Sequence, residues 1–128
     1  MADLLTAAEL MNRTPLYQDV NCESWGGPVR ISRLDGPEKL RFALRASRLE
    51  KDADDRIRMT EPANWAFAVD LIAASVTDSD GALQFAEAGP RAWLAGEINA
   101  VSELLGRVME INGLGAAEET EVEAEKKD

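Results

Sequence analysis

The chain contains no histidine, so it lacks the commonest general base and the commonest zinc ligand, and any chemistry falls to carboxylates, one thiol or arginines. The densest carboxylate group is Asp78-Ser79-Asp80-Gly81, with Glu87 beyond it. If Gly81 takes the sixth position of a calcium loop, Asp78, Asp80 and Glu87 fall at the third, fifth and twelfth. The first position is then Val76, which has no side-chain oxygen. A turn bonded to its own backbone through the aspartates accounts for the same residues without an ion. Asp70 is the only charge in the apolar run from Ala63 to Val76. No second acid or thiol stands at a spacing that makes a dyad with it, which leaves an aspartate at the solvent edge or paired with arginine. Cys22 is the single cysteine; it cannot form an internal disulfide, and with no histidine to activate it, it reads as a small hydrophobe. Gly113-Leu114-Gly115 lacks the preceding strand and following helix of a dinucleotide site and reads as a helix cap. The expectation is a protein with no catalytic set, no metal and no cofactor.

Two features point to binding instead. Arg41, Arg45 and Arg48 have the i, i+4, i+7 spacing of one helix face. Such a row suits either phosphate or a partner protein, but phosphate recognition usually comes with a basic domain and stacking aromatics. This chain is acidic, with a net charge of −10, so a solvated or partner-facing helix is expected, with no nucleic acid and no anionic membrane as partner. Nine of its 14 bases lie between Arg30 and Arg58, and a basic middle in an acidic chain can set the register of association. Trp25, beside a turn, and Trp93, on a short helix, are candidate partner anchors.

Several elements must position these residues. Thr6-Ala7-Ala8-Glu9 has capping-box spacing and predicts a short helix to about Asn12, ended by Thr14-Pro15. Residues 16–34 read as a β-hairpin around Trp25-Gly26-Gly27-Pro28, the glycines supplying positive φ. Asp35-Gly36-Pro37-Glu38 starts a helix expected over about 37–50, with Asp35 as cap, Glu38 reaching back, and Leu40, Ala43 and Leu44 toward the core. Lys51 to Arg58 is a polar loop. A helix over 61–76, capped by Thr60 and opened by Pro62, is apolar enough to need cover on most sides, yet at roughly 14 residues it is short of the ~20 that span a bilayer. Short and long helices over 90–96 and 97–112 follow. The globular domain is expected over 1–115, and residues 116–128, rich in glutamate, as a disordered acidic tail. The fold class is mostly α with a small N-terminal β-hairpin, in one compact helical domain.

Composition agrees with this. A chain of 128 residues, 45% hydrophobic and 30% charged, can bury roughly two thirds of its unfolded surface around one core. Met1 to Leu10 contains acids and no sustained apolar stretch after a basic start, so no signal peptide is expected and a cytosolic protein is.

Three segments, WGGPVRISRLDGPEKLRF, LIAASVTDSDGALQF and RVMEINGLG, followed by an acidic tail, together resemble the tail assembly chaperones of long-tailed bacteriophages and prophages. The resemblance runs over residues 16–115. It lies in a hairpin with a Gly-Gly turn leading to Leu34-Asp35-Gly36-Pro37-Glu38, in Val76-Thr77-Asp78-Ser79-Asp80-Gly81 continued to Phe85, and in the closing Asn112-Gly113-Leu114. The chain departs from the family at Gly89-Pro90 and Gly96-Glu97, where a more continuous helix is expected. The resemblance implies a non-enzymatic protein of the host bacterial cytoplasm, absent from the mature virion. It implies self-association and binding of the tape measure protein, which stays soluble until the tail tube polymerises around it; the major tail protein is a further partner to consider. It also implies a second, longer form made by ribosomal frameshifting, with Lys126-Lys127 as the pair that an A-rich slippery sequence would encode. The alternative is a structural tail or head-tail component of the virion. An acidic mimic of nucleic acid is disfavoured by Arg41, Arg45 and Arg48, which interrupt its charge.

Overall fold

The computed structural model describes residues 4–13 and 16–114; the expected acidic tail, with Lys126 and Lys127, lies outside them, as does Thr14-Pro15. Five helices and three short strands follow in the order α1 (Ala7–Arg13), β1 (Tyr17–Cys22), a 3-10 turn (Glu23–Trp25), β2 (Gly27–Ser32), α2 (Gly36–Ala46), α3 (Pro62–Ser75), β3 (Val76–Thr77), α4 (Ala88–Ala95) and α5 (Ile98–Ile111). The fold is α+β, mostly helical with a small antiparallel sheet, as expected.

The hairpin pairs Tyr17 with Ser32 through to Cys22 with Gly27. Of its two glycines only Gly26 takes the left-handed conformation, at φ 74°, because Gly27 already belongs to β2. The sheet has a third, unexpected strand: the helix expected over 61–76 ends at Ser75, and Val76 belongs to the strand instead. Val76 and Thr77 leave α3 in extended conformation and pair with Ile31 and Arg30 of β2. Both are β-branched, which favours extended over helical backbone where a partner strand offers its edge.

α3 lies at the centre. Phe67, Ala68, Leu71 and Ile72 are almost wholly buried, with α2, α4 and α5 packed around the helix. Burying each of the larger side chains contributes about 1.5–3 kcal/mol, which makes this helix, with α5, a main apolar contributor to the core. α5 presents Val101, Leu104, Leu105 and Val108 to it, while Ile98, at the first turn, stays exposed. Asn112-Gly113-Leu114 closes α5 as a Schellman cap: the Leu114 amide donates to Met109 O at 2.9 Å, the Gly113 amide to Glu110 O at 3.1 Å, Gly113 has φ 66°, and Leu114 is buried. At the other end of the chain Thr6 and Glu9 form the reciprocal capping box, with the Glu9 amide donating to Thr6 Oγ1 at 3.2 Å and the Thr6 amide to Glu9 Oε1 at 3.3 Å.

α2 differs from expectation in two ways. It ends at Ala46 rather than near Glu50, and it turns Phe42 and Ala46 inward while Leu40 and Leu44 stand 62% and 54% exposed. Phe42 decides the orientation: its ring meets Phe67 edge-on at 6.0 Å, and one large aromatic buries more area against α3 than either leucine would. The helix stops where the Ser47 hydroxyl donates to Leu44 O at 2.7 Å. The following loop is held by buried Asn64 of α3, whose Nδ2 donates to Glu50 O and to Arg58 O, both at 2.9 Å. Asp35 caps α2 as expected, accepting from the Glu38 amide at 2.9 Å. Glu38 does not reach back; its carboxylate pairs with Arg41. Thr60 does not cap α3, whose N-cap residue is Glu61. Among the described residues no helix is long and apolar enough to cross a membrane.

Candidate partner-binding surface

Trp25 and Trp93, which sequence placed as separate anchors, come together in one aromatic face. Their rings stack with centroids 5.7 Å apart. Phe85 completes the group, 6.0 Å from each. Trp93 is 53% exposed, and Trp25 and Phe85 are half-buried. Aromatic pairs contribute about 0.5–1.5 kcal/mol each beyond area burial, so the rings hold one another in place while leaving an apolar surface open to solvent.

Each ring is aimed by a separate polar device. Trp25 ends the 3-10 turn, and its indole Nε1 donates to Glu97 Oε1 at 2.7 Å. The turn itself is capped from α5: Glu103 accepts the Glu23 amide at 2.7 Å, the Ser24 amide at 3.2 Å and the Ser24 hydroxyl at 2.9 Å. These donors, the Glu23 amide first, hold the Glu103 carboxyl below the usual carboxylate range. Phe85 is aimed by the Asp78 turn. Asp78 Oδ1 accepts the amides of Asp80 at 2.8 Å and Ala82 at 3.0 Å, and Gly81 takes φ 85°. The Ala82 and Asp80 amides lower the Asp78 pKa. The carboxylate is thus occupied by backbone, the arrangement expected of a self-bonded Asx turn. Trp93 rides on α4, whose last turn is fixed where Trp65 Nε1 donates to Ala95 O at 3.1 Å.

Beside the aromatic face lies a hollow of about 350 Å³ lined by Trp25, Val29, Arg30, Val76, Asp78 and Phe85, among others. Its floor is the β2–β3 edge. Asp19 pairs with Arg30 at 2.7 Å, and that guanidinium lies 3.8 Å from the Tyr17 ring centroid.

The three arginines do not form a free row. Arg45 turns to α3 and binds Asp70 at 3.0 Å, while Arg91 of α4 binds the other oxygen of Asp70 at 2.8 Å. The Arg45 guanidinium also lies 5.5 Å from the Phe42 and Phe67 ring centroids, so it acts as a clamp between α2 and α3. Arg41 pairs with Glu38, and Arg48 is exposed beyond the end of α2. Asp70 is the arginine-paired aspartate that its isolation suggested. Cys22 is fully buried, burial raises its thiol pKa, and its Sγ donates to Glu103 Oε1 at 3.7 Å. Among the described residues no group of three metal-ligating side chains converges.

Glu97, Glu103 and Arg91 matter to this surface and carried no signal in the sequence, because their partners lie 72, 79 to 81 and 21 residues away. Phe85 stands within one of the resembling segments. Comparison with protein-family models, curated proteins and solved structures yields no match to this chain.

Proposed function

We propose that this chain is a non-enzymatic tail assembly chaperone of a long-tailed bacteriophage or prophage, which binds the tape measure protein and holds it soluble during tail tube assembly. One observation carries the proposal beyond the sequence resemblance: the three resembling segments meet in space. Ile31 and Arg30 of the first pair with Val76 and Thr77 of the second, the Trp25 ring of the first lies tilted against Phe85 of the second at 6.0 Å, and the Leu34 amide of the first donates to Asn112 of the third at 2.8 Å. Motifs distant in sequence thus build one framework, and that framework displays the aromatic face.

The aromatic face is the tape-measure contact in this proposal. Buried aromatic anchors dominate the energetics of protein interfaces, and a chaperone needs apolar surface that it can cover and release. The partners are the tape measure protein, further copies of this chain and its longer frameshifted form, in the host bacterial cytoplasm. Co-expression tests the proposal. The tape measure protein is expected to move from the pellet to the soluble fraction when this chain is present, and an unchanged distribution contradicts it. Purified phage particles are expected to lack the chain; its presence at structural copy number would favour the virion-component alternative. The frameshift depends on the coding DNA, where a slippery run near Lys126-Lys127 and an overlapping downstream frame are both required.

A further inference from the structure

The outer side of α2 carries an apolar stripe that the described residues leave exposed. Leu40 and Leu44 stand one turn apart and exposed, flanked by Arg41 and Arg48, also exposed. Lys39 adds a third cation at the near end, and its Nζ lies 3.9 Å from where a Cβ on Gly113 would stand. The described chain therefore stops, at Leu114, beside the start of this basic stripe. Fourteen residues follow, with six acids against two lysines and with Val122 as the largest apolar side chain.

We propose that the outer stripe of α2 is a docking site for an acidic peptide, and that its occupant is this chain's own segment 115–128. Charge and reach both select this occupant. The glutamates of 118–125 complement Lys39, Arg48 and Arg41, the last also paired with Glu38, and Val122 supplies an apolar group for the Leu40–Leu44 strip. Chain statistics give a stretch of eight residues, the separation of Leu114 and Val122, a reach of roughly 16 Å, and α2 rises roughly 11 Å from Lys39 to its end at Ala46, two residues before Arg48. Individual exposed ion pairs contribute little, but a short tether raises the local concentration of the segment to the millimolar range, so weak contacts suffice. The aromatic face is the wrong destination for such a segment, because Asp78 and Glu97 border it. Any acidic partner that docks on α2 must displace the segment first.

The test uses the full-length chain, labelled with nitrogen-15, and a full-length variant with Glu118, Glu119, Glu121, Glu123 and Glu125 changed to glutamine. The amide signals of Leu40, Arg41, Leu44 and Arg48 are expected to shift between the two, while the indole signals of Trp25 and Trp93 stay in place. The same α2 signals are expected to shift in the unsubstituted chain at about 1 M salt, where the screening length falls to ~3 Å. They are expected to be unchanged by tenfold dilution. The double variant Arg41→Glu/Arg48→Glu, altered only on exposed side chains, should lose the salt response. Unmoved α2 signals, or shifts at the aromatic face instead, would overturn the inference. Shifts that appear on dilution would assign the contact to a second copy's segment and overturn it equally.

Discussion

The Leu34 amide donates to the Asn112 side-chain oxygen at 2.8 Å, tying the entry of α2 to the end of α5 across 78 residues of sequence. Asn112 is fully buried, and its Nδ2 donates to Val108 O at 2.9 Å. Asn112→Ala leaves a buried donor unmatched, which costs about 1–3 kcal/mol. Urea denaturation should show a lower midpoint with an unchanged slope. A loss under about 0.5 kcal/mol would mean that the amide finds another acceptor.

Asp70 holds Arg45 and Arg91 at once, so Asp70→Ala releases two helices from α3. The three groups are about one third to two fifths exposed, and solvent screening limits each pair to about 0.5–1 kcal/mol. A total loss of about 1–2 kcal/mol is expected at low salt, shrinking in high salt. A salt-independent loss would assign the effect to packing instead.

Glu103 gives the fold an acid sensitivity. Its folded pKa is lowered, so its contribution is fully present above its unfolded value near 4.5 and is lost as pH falls through the lower folded value. Thermal melts of the wild-type chain and Glu103→Gln should differ most near neutral pH and converge in acid. A gap that stays constant to acid pH would show that Glu103 acts through shape rather than charge.

Trp93 separates binding from folding. Because it is half exposed and linked to Trp25 and Phe85 only by stacking, Trp93→Ala should cost at most about 1–3 kcal/mol of stability and leave the circular dichroism spectrum unchanged. Capture of the tape measure protein should fall at least tenfold, as for an interface anchor.

What could be read from the sequence was local. The Thr6-Glu9 box, the Asp35 cap, the Asp78 turn and the Asn112-Gly113-Leu114 cap all depend on residues within five positions of one another, and spacing reveals them. The β3 strand was hidden because Val76 and Thr77 become a strand only beside Arg30 and Ile31. α2 offered two apolar faces, and the leucine spacing pointed to the wrong one, since the choice rests on Phe67, an α3 residue that Phe42 meets only in the fold. Trp25 and Trp93 were identifiable as candidate anchors, but their contact depends on the 3-10 turn held by Glu97 and Glu103, two carboxylates more than 70 residues away in sequence.

The aromatic face and the tape measure protein meet in one measurement: co-purification of the tagged tape measure protein from cells expressing either the wild-type chain or Trp93→Ala. A soluble complex is expected with the wild-type chain, and its loss with the variant at equal expression. No complex with the wild-type chain would contradict the proposed function, and a complex undiminished by Trp93→Ala would contradict the assignment of its binding surface.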